Sequence, residues 1–236
     1  MNLGIRSAVL NGIRFSMRNI KHKQLYFLFQ PSQPISRFLG QDRGKPIDRY
    51  YIEAFLEEHK QEIQGSCLEV QEDRYTTRLG NNVTSVDILD ITDKNKKATI
   101  IADIKHMPQV APEKYDCIIL TQVLQYIDDL DSALQECKRI LKPNGTLIIT
   151  VPGISQRLDP AFRPEDDCWR FTTSSLTFYL QKYFSKDSLT VRSFGNILTA
   201  QAFLIGLSQE ELTERQLSLY DPTYPCIVGA VVKKTA

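Results

Sequence analysis

The sequence has little of what several large protein classes depend on. Its 29 basic and 28 acidic residues leave a net charge of +1, which excludes a global electrostatic attraction to nucleic acid. The five cysteines are scattered without a C-x-x-C pair, and the three histidines are far apart, so neither a disulfide framework nor a metal site is indicated. There is no apolar run of transmembrane length and no evident signal peptide. We therefore expect a cytoplasmic globular protein.

What the sequence does contain is a strand–helix–strand unit between residues 115 and 152. Tyr115–Leu120 and Thr146–Val151 are short apolar runs without alternation, as in parallel strands that are covered on both faces. Between them, one apolar stripe recurs at helical spacing and consists of Ala133, Leu134, Cys137, Ile140 and Leu141. Ser132 is the predicted N-cap of this helix, and Gly145 follows its end.

The flanking segments continue the alternation of strands and helices. Further strands are predicted at Cys67–Val70, Val83–Leu89, Ala98–Ala102, Leu189–Phe194 and Cys226–Val232. A helix is expected from Thr173 or Ser174 to about Phe184. Seven strands with intervening helices predict an α/β fold, a Rossmann-like doubly wound and mostly parallel sheet.

The central unit resembles the second half of a class I S-adenosylmethionine-dependent methyltransferase of the type 11-like group. In that family a strand with an early Asp leads to a helix that ends in R-x-L-K-P-G-G. The matching residues here are Asp116, Leu124, Arg139, Leu141, Lys142, Pro143 and Gly145. The resemblance implies S-adenosylmethionine as the cofactor, a methyltransferase activity and an antiparallel last strand.

Residues 43–56, which read R-G-K-P-I-D-R-Y-Y-I-E-A-F-L, are similar to a subgroup of bacterial methyltransferase-like proteins associated with cell-surface glycan genes. This similarity implies O-methylation of a sugar or another small polar acceptor. Asp48, Arg49 and Tyr50 then become candidates for acceptor binding at the cleft. The alternative is structural: Asp48 would favour the helix N-terminus, and Arg49 would pair with a nearby Glu.

The resemblance also implies cofactor residues at the ends of the first strands. The family pattern E/D-x-G-x-G-x-G is replaced here by Glu69 to Tyr75, with Gln71, Asp73 and Tyr75 in the glycine positions. An acid that binds the ribose is expected at Asp87, with Asp90 as the competing choice if the strand is longer. Asp103 would accept from the adenine amino group, Ile104 would pack on the ring, and Thr121 would line the site. Each Asp has the alternative reading of an ordinary strand-end turn residue.

Two further segments are candidates for the chemistry. The family often has Glu-His where this chain has Gln125 and Tyr126, so His106 becomes the nearest titratable group for base catalysis. Asp167, Trp169 and Arg170 form a D-x-W-R segment suited to a polyol, with the indole stacking on the acceptor. The alternative is a structural clamp in which Arg170 pairs with Asp48 or Asp167.

The chain divides into a basic N-terminal extension, residues 1–45, and a methyltransferase-like domain, residues 46–236. Apolar residues recur at helical spacing between Ile5 and Met17. We expect the extension to pack on the core or to close the ligand cleft; the alternative is that its basic amphipathic segment, within residues 1–30, lies on an anionic membrane or on a partner. The missing glycines also keep a second function open, that of a non-catalytic member that binds or regulates a partner.

Overall fold

The computed structural model describes residues 32–157 and 167–235, which contain a seven-stranded sheet. The strands are β1 (Gly65–Val70), β2 (Val83–Asp90), β3 (Ile100–Ile101), β4 (Tyr115–Thr121), β5 (Leu141–Pro152), β6 (Leu189–Phe194) and β7 (Ile227–Lys233). Their order is β3-β2-β1-β4-β5-β7-β6. The pairs among β1 to β5 are parallel, and β7 is antiparallel to both of its neighbours. The predicted doubly wound sheet with an antiparallel last strand is confirmed.

Six α-helices of the described residues cover the sheet. They are α1 (Ile47–Glu58), α2 (Arg74–Leu79), α3 (Leu130–Ile140), α4 (Thr173–Gln181), α5 (Ile197–Leu204) and α6 (Glu214–Ser218). One apolar layer joins α3 and α4 to the sheet, and the other joins α1 and α5 to the opposite face. Because β4 and β5 are covered on both sides, Ile118, Ile119, Ile148 and Ile149 are fully buried.

Element boundaries differ from the sequence prediction in a few places. Asp129, not Ser132, is the N-cap of α3, since its carboxylate accepts the backbone N–H of Ser132 at 3.0 Å. The strand predicted at Ala98–Ala102 is regular only over Ile100–Ile101, although the N–H groups of Thr99 and Ala102 also donate to carbonyl groups of β2. Strand β5 begins at Leu141, five residues earlier than predicted.

Residues 32–45 pack against the domain that follows them. The backbone N–H groups of Ile35 and Ser36 both donate to the carbonyl of Ile205. Arg43 makes a bidentate pair with Glu211, at 2.9 Å from Nε and 2.5 Å from Nη2. The amphipathic pattern between residues 5 and 17 lies outside the described residues. Among the described residues, no helix has both the length and the apolar character needed to cross a membrane.

Candidate active site

The carboxyl ends of the parallel strands open onto a cleft with two connected cavities. The outer cavity lies beyond β2 and β3 and is lined by Leu89, Asp90, Ala102, Asp103, Ile104 and Ile127. The inner cavity lies between α1 and the ends of β5 and β7 and is lined by Asp48, Arg49, Gln125, Asp167, Arg170 and Cys226. Both cavities share Gln71, Thr121, Gln122 and Tyr126, which we call the junction.

The two cavities are individually small. The outer one encloses about 220 Å³ and the inner one about 170 Å³. Small-molecule sites usually enclose roughly 300–1,000 Å³. An extended ligand that binds here would therefore have to cross the junction and occupy both cavities.

The outer cavity combines two carboxylates with an apolar wall. Asp103 follows β3, and its carboxylate accepts the backbone N–H of Lys105 at 2.9 Å while one oxygen remains 3.5 Å from the Lys105 ammonium. Ile104 beside it is buried at 5% exposure. Asp90 ends β2 and accepts from the Thr92 backbone and from Asn95 Nδ2. A hydrogen-bonding edge next to an apolar surface suits a nucleoside, whose base needs both.

Asp87 does not reach this cavity, and Asp90 takes its expected place. The Asp87 carboxylate accepts from Lys114 Nζ at 2.6 Å, Tyr115 Oη at 2.9 Å and Thr99 Oγ1 at 2.8 Å. Burial alone would raise its pKa, but these three donors hold the pKa below its usual value. Because the two acids are three residues apart on one strand, their side chains point to opposite faces.

Glu69 and Tyr75 also lie outside both cavities. The buried Glu69 carboxylate accepts the backbone N–H groups of Tyr75 at 3.0 Å and Thr76 at 2.8 Å, and the Thr76 hydroxyl at 2.6 Å. These donors belong to the first turn of α2, so Glu69 holds the loop after β1 against the sheet. Tyr75 is buried at 2% exposure, and its hydroxyl accepts from Arg49 at 2.9 Å.

The junction contains two glutamines in an unusual backbone conformation. Gln71 has φ of 69° and Gln122 has φ of 56°, both in the left-handed region. Gln71 thus keeps a conformation suited to glycine although the glycine is absent. Strained residues of this kind concentrate at functional sites.

The junction and the inner cavity also hold buried polar atoms without partners in the described part of the chain. These are Gln122 Nε2 and Gln125 Oε1. Gln125 is buried, and its amide nitrogen donates to the Gln122 carbonyl at 2.9 Å. An unpaired buried polar group costs about 1–3 kcal/mol, so a polar ligand that completes these bonds is expected to stabilise the site. Together with the acids and the apolar wall of the outer cavity, these atoms fit a ligand with a nucleoside end and a polar tail.

The inner cavity presents a buried pair of opposite charges at the start of α1. Asp48 is 6% exposed and accepts the Arg49 backbone N–H at 2.8 Å. Burial raises the pKa of this carboxyl, although the Arg49 charge opposes the shift. Cys226 lines the same cavity, and burial raises its pKa to about 11. Asp48 is therefore a lining carboxyl whose affinity for a proton is increased by burial.

The Asp167–Arg170 segment has the geometry of the clamp. Arg170 forms two hydrogen bonds to the Asp167 carboxylate and donates to the Gln156 carbonyl at 2.7 Å. Trp169 does not line either cavity, since its indole N–H donates to the Ile127 carbonyl at 2.7 Å and its ring packs edge-on against Tyr179. Asp167 and Arg170 still contribute to the wall of the inner cavity.

Two other candidate residues lie away from the cleft. The Tyr50 hydroxyl bonds to Glu214, and its ring lines a separate groove beside β6. His106 is exposed on the turn after β3, where its backbone N–H bonds to the Asp103 carbonyl. Neither side chain borders the inner or the outer cavity. Sequence reasoning missed Leu39 and Gln41, which line the inner cavity from the segment assigned to the extension.

The central part of the chain is similar to known protein domains. Residues 65–149 match the sequence model of a family described as a methyltransferase domain. A ubiquinone biosynthesis O-methyltransferase from Actinobacillus pleuropneumoniae is 29% identical over 87 residues, which cover 31% of this chain and 37% of that protein. A probable polyketide synthase 5 from Dictyostelium discoideum is 27% identical over 79 residues, or 33% of this chain and 3% of that protein. The matches thus span well under two thirds of either relative.

The fold is shared with solved structures along more of the chain. A SAM-dependent methyltransferase from Archaeoglobus fulgidus superposes with a TM-score of 0.55 at 16% identity, over 89% of this chain and 99% of that one. At this identity the likeness shows the fold. Residues 65–149 are therefore similar to a methyltransferase domain, and the described residues share the Rossmann-like fold of these structures.

Proposed function

We propose that this protein transfers a methyl group from S-adenosylmethionine to an oxygen atom of a small polar acceptor such as a sugar. The observation that carries the proposal is the pair of cavities that meet at the junction. The outer cavity suits a nucleoside, and the inner one is small and polar. The similarity of residues 43–56 to glycan-associated proteins and the O-methyltransferase match over part of the chain support the acceptor class.

The residues divide the work of the reaction between the cavities. When bound, S-adenosylmethionine supplies a methyl group already activated on a sulfonium. Asp90, Asp103 and Ile104 would bind the adenosine, while Thr121 and the junction glutamines orient the groups that meet there. In the inner cavity, Asp48 would accept the proton from the acceptor hydroxyl. This role passes from His106 to Asp48, because His106 does not border the cavity.

The cofactor assignment is tested by calorimetry with S-adenosylhomocysteine on the wild-type protein and two variants. Asp103→Ala should weaken binding by about ten- to a hundredfold, since a hydrogen bond to a carboxylate contributes roughly 1.5–3 kcal/mol. Asp87→Ala is the matched control, because Asp87 faces Lys114 and Tyr115. It should lower the melting temperature and leave the affinity unchanged. No heat and no thermal shift for the wild type would reject the methyltransferase assignment in favour of a non-catalytic binding protein.

The acceptor class is tested separately with radiolabelled S-adenosylmethionine and a panel of methyl glycosides. Transfer of label to a glycoside hydroxyl is the expected result. If the protein binds S-adenosylhomocysteine but transfers no label to any glycoside, the sugar is rejected as the acceptor and the cofactor assignment stands.

A further inference from the structure

Arg49 is a partly buried cation that is attracted to the neighbouring Asp48 carboxylate but forms no salt bridge among the described residues. Its side chain makes one hydrogen bond there, from Nη1 to the Tyr75 hydroxyl at 2.9 Å. The Asp48 carboxylate beside it accepts the Arg49 backbone N–H and not a hydrogen bond from the guanidinium. The remaining guanidinium N–H groups are left for the inner cavity, which Arg49 lines next to Gln71. Arginine is suited to bind a carboxylate with two parallel hydrogen bonds.

The other arginine of the described cavity wall is already engaged. Arg170 is bound to the Asp167 carboxylate and to the carbonyl oxygens of Gln156 and Trp169. A ligand anion in the inner cavity would have to break those bonds to reach it. Among the described residues that line the inner cavity, Arg49 is therefore the cation available to a ligand.

Several backbone donors of the loop after β1 and of the start of α2 are already used within the fold. Free N–H groups at a helix N-terminus usually bind anions. In α2, however, the N–H groups of Tyr75 and Thr76 already donate to Glu69. The backbone N–H of Gln71 donates to the Leu89 carbonyl. These three N–H groups are thus not available to an anionic group that enters from the junction.

We propose that Arg49 binds the carboxylate at the amino acid end of S-adenosylmethionine, with Tyr75 positioning its guanidinium. This inference rests on the proposed function and assigns part of the cofactor's recognition to α1. The adenosine end occupies the outer cavity, and the amino acid end crosses the junction toward Arg49. A side-chain cation thereby compensates for the missing glycines.

The test compares two ligands that differ in the amino acid end. S-adenosylhomocysteine has the carboxylate, whereas 5′-methylthioadenosine has the same nucleoside and sulfur without it. By calorimetry, Arg49→Gln should weaken S-adenosylhomocysteine binding by about ten- to a hundredfold and leave 5′-methylthioadenosine binding unchanged. Arg49→Lys should lose less affinity for S-adenosylhomocysteine, because an ammonium keeps the charge but cannot form the bidentate hydrogen bonds. Tyr75→Phe should also weaken S-adenosylhomocysteine binding, because it removes the hydrogen bond that positions the Arg49 guanidinium.

The matched control is Arg78→Gln. Arg78 is an exposed arginine on α2 that pairs with Glu53. It should change neither affinity. Equal losses of both ligands in Arg49→Gln, or an unchanged affinity for S-adenosylhomocysteine, would overturn the inference. If the affinity for S-adenosylhomocysteine is unchanged, Arg49 does not bind the cofactor and would be available to bind the acceptor. If the wild type binds 5′-methylthioadenosine but not S-adenosylhomocysteine, this inference fails alone, and if it binds neither, the proposed function fails with it.

Discussion

At the scale of single residues, the acidic side chains near the cleft separate into those that hold the fold and those that face the cavities. Glu69 and Asp87 each accept three hydrogen bonds from neighbouring elements. Asp48, Asp90 and Asp103 line the cavities. Since all five lie near strand or helix ends, position along the chain does not distinguish the two groups. The hydrogen-bond partners do.

Asp48 should decrease the stability of the folded protein at neutral pH. Burial raises the pKa of its carboxyl above 3.8, the value of an unperturbed Asp. Between the unfolded and the folded pKa, the unfolded chain releases the proton more readily, so stability falls as pH rises through that range. Asp48→Asn should therefore be more stable than the wild type at neutral pH, by about 0.5–2 kcal/mol. The difference should vanish below the unfolded pKa.

Urea unfolding between about pH 4 and pH 8 measures this effect. The nearby Cys226 does not interfere, because its pKa of about 11 lies above the range. If Asp48→Asn is less stable than the wild type at neutral pH, interactions within the fold outweigh the cost of burying the charged Asp48 carboxylate. Asp48 would then be a structural residue and not the base of the inner cavity.

At the scale of elements, the turn from β1 to α2 keeps a left-handed backbone conformation although it lacks the glycine that normally adopts it. The path begins at Gln71 in the left-handed region and ends where Glu69 accepts the first N–H groups of α2. Asn95 Nδ2 donates to the Gln71 carbonyl at 2.7 Å, which ties the turn to the loop after β2. Contacts on both sides of Gln71 thus hold a conformation that costs about 1–3 kcal/mol for a residue with a side chain.

Substitution of Gln71 should report this strain. Gln71→Gly should be as stable as the wild type or more so, because glycine adopts positive φ without a steric penalty. Gln71→Val should lose roughly 1–2 kcal/mol, since a β-branched side chain is least compatible with the left-handed region. Gln71→Ala is the reference for lost side-chain contacts, and urea unfolding gives the values. Equal stability of the Val and Ala variants would mean that the turn does not hold this conformation in solution.

At the scale of the whole molecule, the compact unit reaches back beyond the predicted boundary at residue 46. Residues 35–43 bond to the segment after α5, and Gly206 leaves no room for a side chain against Ser36. Leu39 and Gln41 extend this contact to the inner cavity. We propose that the domain begins at or before residue 32.

Two truncations test the boundary. Removal of residues 1–30 should leave a cooperative unfolding transition and an unchanged affinity for S-adenosylhomocysteine, because the sheet and both cavities are built from later residues. Removal of residues 1–45 should lower the melting temperature and weaken binding, because it deletes Leu39, Gln41 and the Arg43–Glu211 pair. Loss of the cooperative transition in the shorter truncation would show that residues 1–30 belong to the core.

The sequence by itself determined the architecture. Parallel strands covered on both faces must be apolar throughout, so Tyr115–Leu120 and Thr146–Val151 could be recognised without any knowledge of their partners. The amphipathic stripe of α3 indicated the helix between them. The resemblance to the family placed Asp103 and Thr121 at the cofactor site, and both line the outer cavity.

Only the tertiary structure decided which polar groups face the cleft. A shift of one residue along a strand turns a side chain to the opposite face, so the choice between Asp87 and Asp90 depended on where β2 ends. The placement of Asp48 and Arg49 depended on the packing of α1 over β7, which joins residues far apart in the sequence. Local patterns specify periodicity and burial, whereas a site is assembled from contacts between distant segments that no local pattern encodes.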